Sequence, residues 1–228
     1  MISAREFCRE HGFPATIFPT YSFDPLFFER IPIDDLDVAG TRRIVIAADA
    51  GKIAEAMQRC IGQIVHLGRR YVLAETKAAN TFHPKMIVRL SPSGGRVWIG
   101  SGNLTYTGWG GNQELATAWS VGPGTQDNGA WLNTVFNAVG SITRSATFLS
   151  QIDAIRSLVP WLGAPTRRRR KVPSCSECQT SRLQVSWPSV GRTGGSMSLR
   201  FSQALQMWTV LFCDGRTVPL ELRKGRFA

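Results

Sequence analysis

The chain has no long apolar run, and it is poor in cysteine and histidine. No stretch approaches 18 consecutive apolar residues, so we expect no transmembrane helix and no membrane partner. The N-terminal segment mixes acidic and basic side chains without an apolar run, which argues against a secretory signal. The five cysteines are scattered and odd in number, which favours reduced thiols in a cytoplasmic protein over a disulfide framework.

Excess positive charge is absent from most of the chain, although the formal net charge is +11. Residues 1–163 carry a net charge of +2, whereas residues 164–228 carry +9. We therefore expect one folded domain at 1–163 and a basic, poorly patterned tail at 164–228, either disordered or a truncated second domain. A basic chain is typical of nucleic-acid binding, but here a phosphate substrate must be argued from local residues.

The tail contains a basic run and a pair of cysteines, and each of these features has more than one interpretation. The basic run Arg167–Lys171 either contacts phosphates without sequence preference or is a solvated linker. Cys175 and Cys178 form half of a zinc pattern, but the tail has no histidine, so we expect no structural zinc site.

The apolar pattern before the tail alternates between strand-like and helix-like segments. It predicts strands at residues 15–23, 41–48, 71–74, 82–90, 96–100 and 114–121. It predicts a short helix after the N-cap Asp24, a helix spanning 52–64 after Asp49-Ala-Gly, and a longer helix over 127–145. The turn residues Ser91–Gly95 join two strands as a hairpin. This order predicts an α/β domain with a mixed β-sheet flanked by helices.

A histidine and a lysine lie two positions apart in one of these predicted strands. Alternate residues of a strand point to the same face, so His83 and Lys85 should project together, with Pro84 on the opposite face. Pro84 cannot donate to a ladder, which favours an edge position or a bulge. The other histidines, His11 and His66, have no motif around them.

The loop after the hairpin contains groups that bind phosphate. Gly100 and Gly102 let main-chain N–H groups approach an oxyanion closely, and Ser101 and Asn103 add side-chain donors. Thr105 is a further candidate for substrate contact. The first four of these residues form the sequence Gly-Ser-Gly-Asn.

Together, His83-Pro-Lys85 and the Gly-Ser-Gly-Asn loop that ends at Asn103 resemble the motif of the phospholipase D superfamily. The likeness is to single-motif members found among metal-independent bacterial nucleases, and it covers roughly residues 12–145. It implies the α/β fold of that superfamily, with Glu114 near the active histidine. One position departs: the acid that usually follows the lysine is replaced by Leu90, which favours a nuclease over a lipid hydrolase.

The resemblance implies two-step phosphoryl transfer without a metal or any other cofactor. His83 attacks phosphorus to form a phosphohistidine, and a second histidine protonates the leaving oxygen. Lys85 and Asn103 hold the non-bridging oxygens, and Glu114 orients the imidazole. Since the chain has one motif, the second histidine must come from a second copy in a C₂ homodimer.

Three functions remain open from the sequence. The first is a DNA endonuclease of the restriction or phage-defence type, working with DNA, a second copy and an additional recognition domain or defence-system subunit. The second is a phospholipase or other phosphodiester hydrolase of the same superfamily. The third is a catalytically silent module for nucleic-acid binding or dimerisation.

Overall fold

The computed structural model of this chain describes residues 2–78, 82–143 and 145–163. Within them lie six strands: β1 Ala15–Thr20, β2 Arg43–Asp49, β3 Val72–Thr76, β4 Met86–Ser91, β5 Gly94–Gly100 and β6 Ala116–Val121. The α-helices are α1 Ala4–Arg9, α2 Pro25–Arg30, α3 Pro32–Val38, α4 Ala50–Arg59, α5 Ala130–Thr143 and α6 Ala146–Leu158. A π-helical turn spans Thr107–Gly111, and a short 3₁₀ helix spans Pro160–Leu162.

The strands form one mixed sheet in the order β3-β2-β1-β4-β5-β6. β1, β2 and β3 are parallel, and the helices between them supply the crossover connections that parallel strands require. β4 lies antiparallel to β1, with Val88 opposite Ile17, and β5 and β6 continue the antiparallel half. The predicted mixed sheet flanked by helices is therefore confirmed.

Helices cover both faces of the sheet, which explains the continuous apolar runs of β1 and β2. Ile17 and Val88 belong to the core shared with α5 and α6. Phe18 and Ile87 belong to the core shared with α1 to α4. By strand alternation, Lys85 falls on the same side as Ile87.

Capping residues set the start of two helices, and the sequence predicted the first of these caps, Asp24. The Asp24 side chain accepts a hydrogen bond from the Phe27 N–H, and Pro25 occupies the first turn of α2. The Asp49 side chain accepts from two N–H groups in the first turn of α4. In both helices a carboxylate satisfies main-chain donors that have no partner within the helix.

The helix predicted over 52–64 is shorter, because α4 ends at Arg59. Cys60, with φ −131° and ψ 20°, leaves the helical path, and Gly62 continues the turn with a positive φ of 78°. Glu29 of α2 then holds the following loop, accepting hydrogen bonds from the N–H groups of Val65 and His66 at 2.8 and 2.9 Å. A contact between distant segments therefore fixes this loop.

The motif histidine and lysine do not lie within a regular strand. β4 begins at Met86, Phe82 to Pro84 have no regular structure, and Lys85 forms a single antiparallel bridge with Thr20. The prediction of a strand over 82–90 is wrong for its first four residues. The physical reason is Pro84, which has no N–H to continue the ladder.

Three helices were not predicted from the sequence: α1, α3 and α6. The first two have six and seven residues, and helices of that length depend on packing more than on propensity. α6 buries Phe148, Ile152 and Ile155 against the sheet. Each of the three packs against other elements, which is information that a local pattern does not contain.

Arg89 is fully buried in β4 and joins the sheet to α1. Its guanidinium donates to the carbonyl oxygens of Phe7 at 2.8 Å and Glu10 at 2.6 Å, and to the Thr41 hydroxyl at 3.1 Å. Burial lowers the pKa of this guanidinium. The carbonyls at the end of a helix carry partial negative charge, so main-chain dipoles compensate the buried cation.

Several predictions fall on residues that the structure does not describe. The tail at 164–228, the basic run Arg167–Lys171 and the pair Cys175 and Cys178 all lie outside the described residues. The division into a domain at 1–163 and a tail therefore stays a prediction. Among the described residues, no helix is long and apolar enough to cross a membrane.

We predict that Asp35 is a stabilising contact between α3 and α1. Its carboxylate accepts from Nε of Arg5 and Nε of Arg9, each at 2.8 Å, and its side chain is only 7% exposed. Asp35→Asn should lower the Tm by about 3–6 °C, since charge-assisted hydrogen bonds are lost. Asp34→Asn is the matched control, because Asp34 is exposed in the same helical turn. Equal Tm values for the two variants would contradict this role.

Candidate active site

The motif side chains His83 and Lys85 meet where β1 ends. The bridge to Thr20 holds Lys85 beside the carboxyl end of β1. Lys85 Nζ lies 2.9 Å from Nδ1 and 3.2 Å from Nε2 of His83. Pro84 between them is buried, whereas His83 is exposed. The predicted convergence of imidazole and ammonium therefore occurs, although the backbone there is irregular.

Tyr21 packs against the histidine and was missed by the sequence analysis. Its ring centroid lies 4.4 Å from that of His83, at an interplanar angle of 40°. The ammonium groups of Lys85 and Lys52 lie 5.8 and 5.9 Å from the same centroid. The signal available in the sequence was its position just after β1, since ligands commonly bind beyond the carboxyl ends of parallel strands.

The N–H groups of Gly100 and Ser101 are used within the protein. Gly100 N donates to the Lys85 carbonyl at 3.1 Å, and Ser101 N donates to the Leu115 carbonyl at 2.9 Å. The Ser101 hydroxyl donates to the Glu114 carboxylate and accepts from Leu115 N at 3.0 Å. The expected approach of these two N–H groups to an oxyanion is therefore not what this structure shows. Ser101 instead holds Glu114.

Asn103 is fixed by the segment that follows β1. Its Oδ1 accepts from the Ser22 N–H at 3.4 Å, and the Leu104 N–H donates to the Thr20 hydroxyl at 3.3 Å. An amide whose oxygen is engaged presents its NH₂ group on the other side, where it can donate to a phosphate oxygen. Asn103 is thus placed at the same end of β1 as Lys85.

Gly102 is buried because the π-helical turn lies directly on it. A Cβ on Gly102 would overlap the Gly108 carbonyl, and a Cβ on Gly108 would overlap the Asn103 main chain. The Thr105 hydroxyl, a predicted substrate contact, accepts from the Gly108 N–H at 3.1 Å and so caps this turn. Trp109 packs 5.7 Å from Phe27, centroid to centroid, and anchors the turn.

The environment lowers the pKa of both motif bases. Desolvation first, and then the positive charge of Lys85, lower the pKa of His83 from its ordinary value. Desolvation also lowers the pKa of Lys85, while the negative charge of Glu114 acts in the opposite direction. A neutral imidazole is the form that can act as a nucleophile, so this environment favours the reactive state of His83 near neutral pH.

Glu114 makes a different hydrogen bond from the one that the motif implies, and Leu90 lies away from the motif side chains. The structure gives Glu114 a hydrogen bond to Ser101 rather than to the His83 imidazole. Leu90 is buried in the core shared with α5 and α6, on the opposite side of β4 from Lys85. An acid at this position would therefore not face the motif lysine.

A cleft of about 470 Å³ opens beside the site, between α2 and α4. Tyr21, Asp24, Lys52, Glu55 and Thr105 contribute to its lining. Among the described residues, no three side chains of histidine, cysteine, aspartate and glutamate form a group that could hold a metal ion.

No family model matches the sequence, and none of the curated proteins compared with it is similar. A variant of yeast tyrosyl-DNA phosphodiesterase matches in structure with 12% identity over 68% of this chain and 36% of that chain, at a TM-score of 0.45. Nuc from Salmonella typhimurium, a phospholipase D family member, matches with 17% identity over 67% and 84%, at a TM-score of 0.34. NucT from Helicobacter pylori matches with 11% identity over 63% and 77%, at a TM-score of 0.32.

These likenesses concern the fold and carry no argument about activity. The chain spans only 36% and 38% of the yeast phosphodiesterase chains that it matches. The predicted α/β architecture is confirmed, because the described residues form a mixed six-stranded sheet flanked by helices. The likeness to the phospholipase D superfamily rests on the motif. The roles of the site residues stay predictions.

We predict that Gly102 tolerates no side chain, because the π-helical turn lies against it. Gly102→Ala should lower the free energy of unfolding by about 1–3 kcal/mol, as overpacking does in a buried site. Gly110→Ala is the matched control, because a Cβ there meets nothing within 4 Å, and its effect should stay within about 0.5 kcal/mol. Denaturant unfolding measures both values, and equal losses would contradict the packing argument.

The protonation of His83 should depend on Lys85. Lys85→Gln removes a positive charge that disfavours the imidazolium, so the pKa of His83 should rise toward its ordinary value. Its protonation would then begin at a higher pH than in the wild type. NMR titration of the imidazole measures this directly. Lys52→Gln is the control, since Lys52 lies near Tyr21 but is not a cause of the His83 shift. An unchanged His83 titration in Lys85→Gln would contradict the coupling.

Proposed function

We propose that this chain is a metal-independent phosphodiesterase whose substrate is DNA. The observation that carries the proposal is the contact between Lys85 Nζ and the His83 imidazole, 2.9 Å apart, at an exposed edge of the sheet. An imidazole beside an ammonium combines a nucleophile with a cation that neutralises a phosphate oxygen. Asn103 adds an amide donor at the same edge.

The proposed reaction has two steps. In the first, a ring nitrogen of His83 forms a bond to phosphorus, the bond from phosphorus to the leaving oxygen breaks, and a second histidine protonates that oxygen. In the second, water attacks the phosphohistidine, its proton passes to the second histidine, and His83 is released. Lys85 and Asn103 hold the non-bridging oxygens in both steps.

The second histidine is the same residue of a second copy of the chain. One copy supplies one motif, so a C₂ homodimer with the two motifs facing each other completes the site. The exposure of His83 supports this arrangement, and so does Leu115, an apolar side chain that is 77% exposed next to Glu114. An exposed apolar side chain beside an incomplete site suits a contact between copies.

DNA is the proposed substrate because the motif resembles that of the nucleases, with Leu90 in place of the usual acid. The restriction or phage-defence setting, the additional recognition domain and the cytoplasmic location stay predictions. No feature of the described residues bears on them.

We predict DNA cleavage in the presence of EDTA. His83→Ala should reduce the rate at least about a thousandfold, because the nucleophile is lost. Lys85→Gln should reduce it by about 10²–10³, as removal of a donor to a developing charge does. His11→Ala is the matched control, because His11 is exposed and lies before β1, at the other end of the sheet from the site. Its rate should equal that of the wild type.

Four outcomes would contradict the proposal. A strict requirement for a divalent metal would exclude the phosphohistidine route, and a strict monomer in sedimentation would exclude a site built from two histidines. A dimer that cleaves no DNA substrate would favour the catalytically silent module, and a His83-dependent activity confined to lipid phosphodiesters would favour the phospholipase.

A further inference from the structure

The cleft beside Tyr21 is continuous with the proposed catalytic groups. Tyr21 lines the cleft and also packs on the His83 imidazole. The next residue, Ser22, lines it and donates its N–H to Asn103. Thr105, from the loop that carries Asn103, lines another part. A phosphodiester bound at His83 would therefore place the adjoining part of its strand at the mouth of this cleft.

The charges in the cleft are compensated within the protein. Glu55 accepts from Lys52 Nζ at 2.9 Å and from Arg59 Nη2 at 2.6 Å. Asp24 is the other acid in the lining, so two cations face two carboxylates. A second phosphate would have to compete with Glu55 for either cation. The cleft therefore suits an uncharged group better than a second phosphate.

The remaining lining is uncharged and mostly aromatic or apolar, with Ser22 and Thr105 as its hydroxyl residues. Tyr21 forms one wall, and Leu26 and Ala56 contribute aliphatic surface. The volume of about 470 Å³ falls in the range of small-molecule pockets. A flat, uncharged, polarisable group attached to a phosphodiester is a nucleobase, and the cleft has ample room for one. Its face is free to stack on an aromatic ring only when the base is unpaired.

We propose that this cleft binds an unpaired nucleobase next to the scissile phosphodiester, with Tyr21 as the stacking wall. The inference rests on the proposed function and adds a recognition subsite to it. Because Tyr21 also contacts His83, a stacked base and the imidazole would both pack against the same tyrosine ring. Tyr21 is thus a positioning residue, and Lys52 and Glu55 close the cleft on the side of α4.

The test compares cleavage of single-stranded oligonucleotides that carry one abasic site, moved through each position around the cleavage point. For the wild type, loss of the base at one adjoining position should slow cleavage about tenfold, in line with the strength of base stacking on an aromatic side chain. Tyr21→Leu should abolish this difference, and Tyr21→Phe should keep it. Tyr106→Leu should also keep it, because Tyr106 is 65% exposed outside the cleft lining.

The same scan in a duplex identifies the source of the base. A base effect that depends on Tyr21 in the duplex indicates an extruded base, and an effect confined to single strands indicates a strand that enters unpaired. Both support the subsite. An abasic scan without any position effect, or one that Tyr21→Leu leaves intact, would overturn it.

A substrate without a nucleobase separates failure of the subsite from failure of the proposed function. Bis(4-nitrophenyl) phosphate should be hydrolysed in a reaction that depends on His83. If that activity is present and the abasic scan is flat, the subsite is wrong and the phosphodiesterase stands. If neither bis(4-nitrophenyl) phosphate nor DNA is cleaved, both are wrong.

Discussion

The antiparallel pairing of β4 with β1 is the constraint on which the site depends. It begins with Leu90 opposite Ala15, continues to Val88 opposite Ile17 in the core and extends to the single bridge between Lys85 and Thr20. That last bridge places the motif lysine where β1 ends, so the segment after β1 becomes one wall of the site. Tyr21 reaches the imidazole and Ser22 reaches Asn103 only because this pairing holds. The His83–Lys85 segment and the loop that carries Asn103 thus meet at the end of β1, a strand that contains neither of them. The strand pairing in the core therefore determines the geometry of the site.

Lys85 is the electrostatic centre of this arrangement. Its ammonium group contacts the His83 imidazole, and the negative charge of Glu114 raises its pKa against the larger effect of desolvation. Its charge disfavours a second positive charge on His83, while Glu114 favours the charge on the lysine itself. Desolvation lowers the pKa of both bases first, and the charges of Lys85 and Glu114 then act on these pKa values in opposite directions. Ser101 contributes indirectly, because its hydroxyl holds the carboxylate of Glu114.

The sequence predicted the mixed sheet, the helices that follow Asp24 and Asp49, and the meeting of the motif side chains. Those features follow from local patterns: apolar runs, an aspartate before a helix, and reactive side chains close in sequence. It did not predict the irregular backbone at Pro84, since proline favours an edge or a bulge without specifying which residues leave the ladder. It missed Tyr21 because the contact with His83 joins residues 62 positions apart. It assigned the hydrogen bond of Glu114 to the histidine, because the competing hydroxyl of Ser101 becomes a neighbour only when β6 pairs with β5.

The contact between Gly102 and Gly108 has a consequence for how such sites are recognised in other sequences. Gly102 belongs to the motif, but its partner lies six positions later, in the π-helical turn Thr107–Gly111, which is not part of the motif. A Cβ on Gly102 would overlap the Gly108 carbonyl, and a Cβ on Gly108 would overlap the Asn103 main chain, so the motif loop and the turn leave no room for either side chain. A search pattern that ends at Asn103 describes the reactive groups alone. A pattern extended to a second glycine at this spacing would also describe the loop packing that holds those groups, and would separate chains that can build this site from chains in which the same few letters occur by chance.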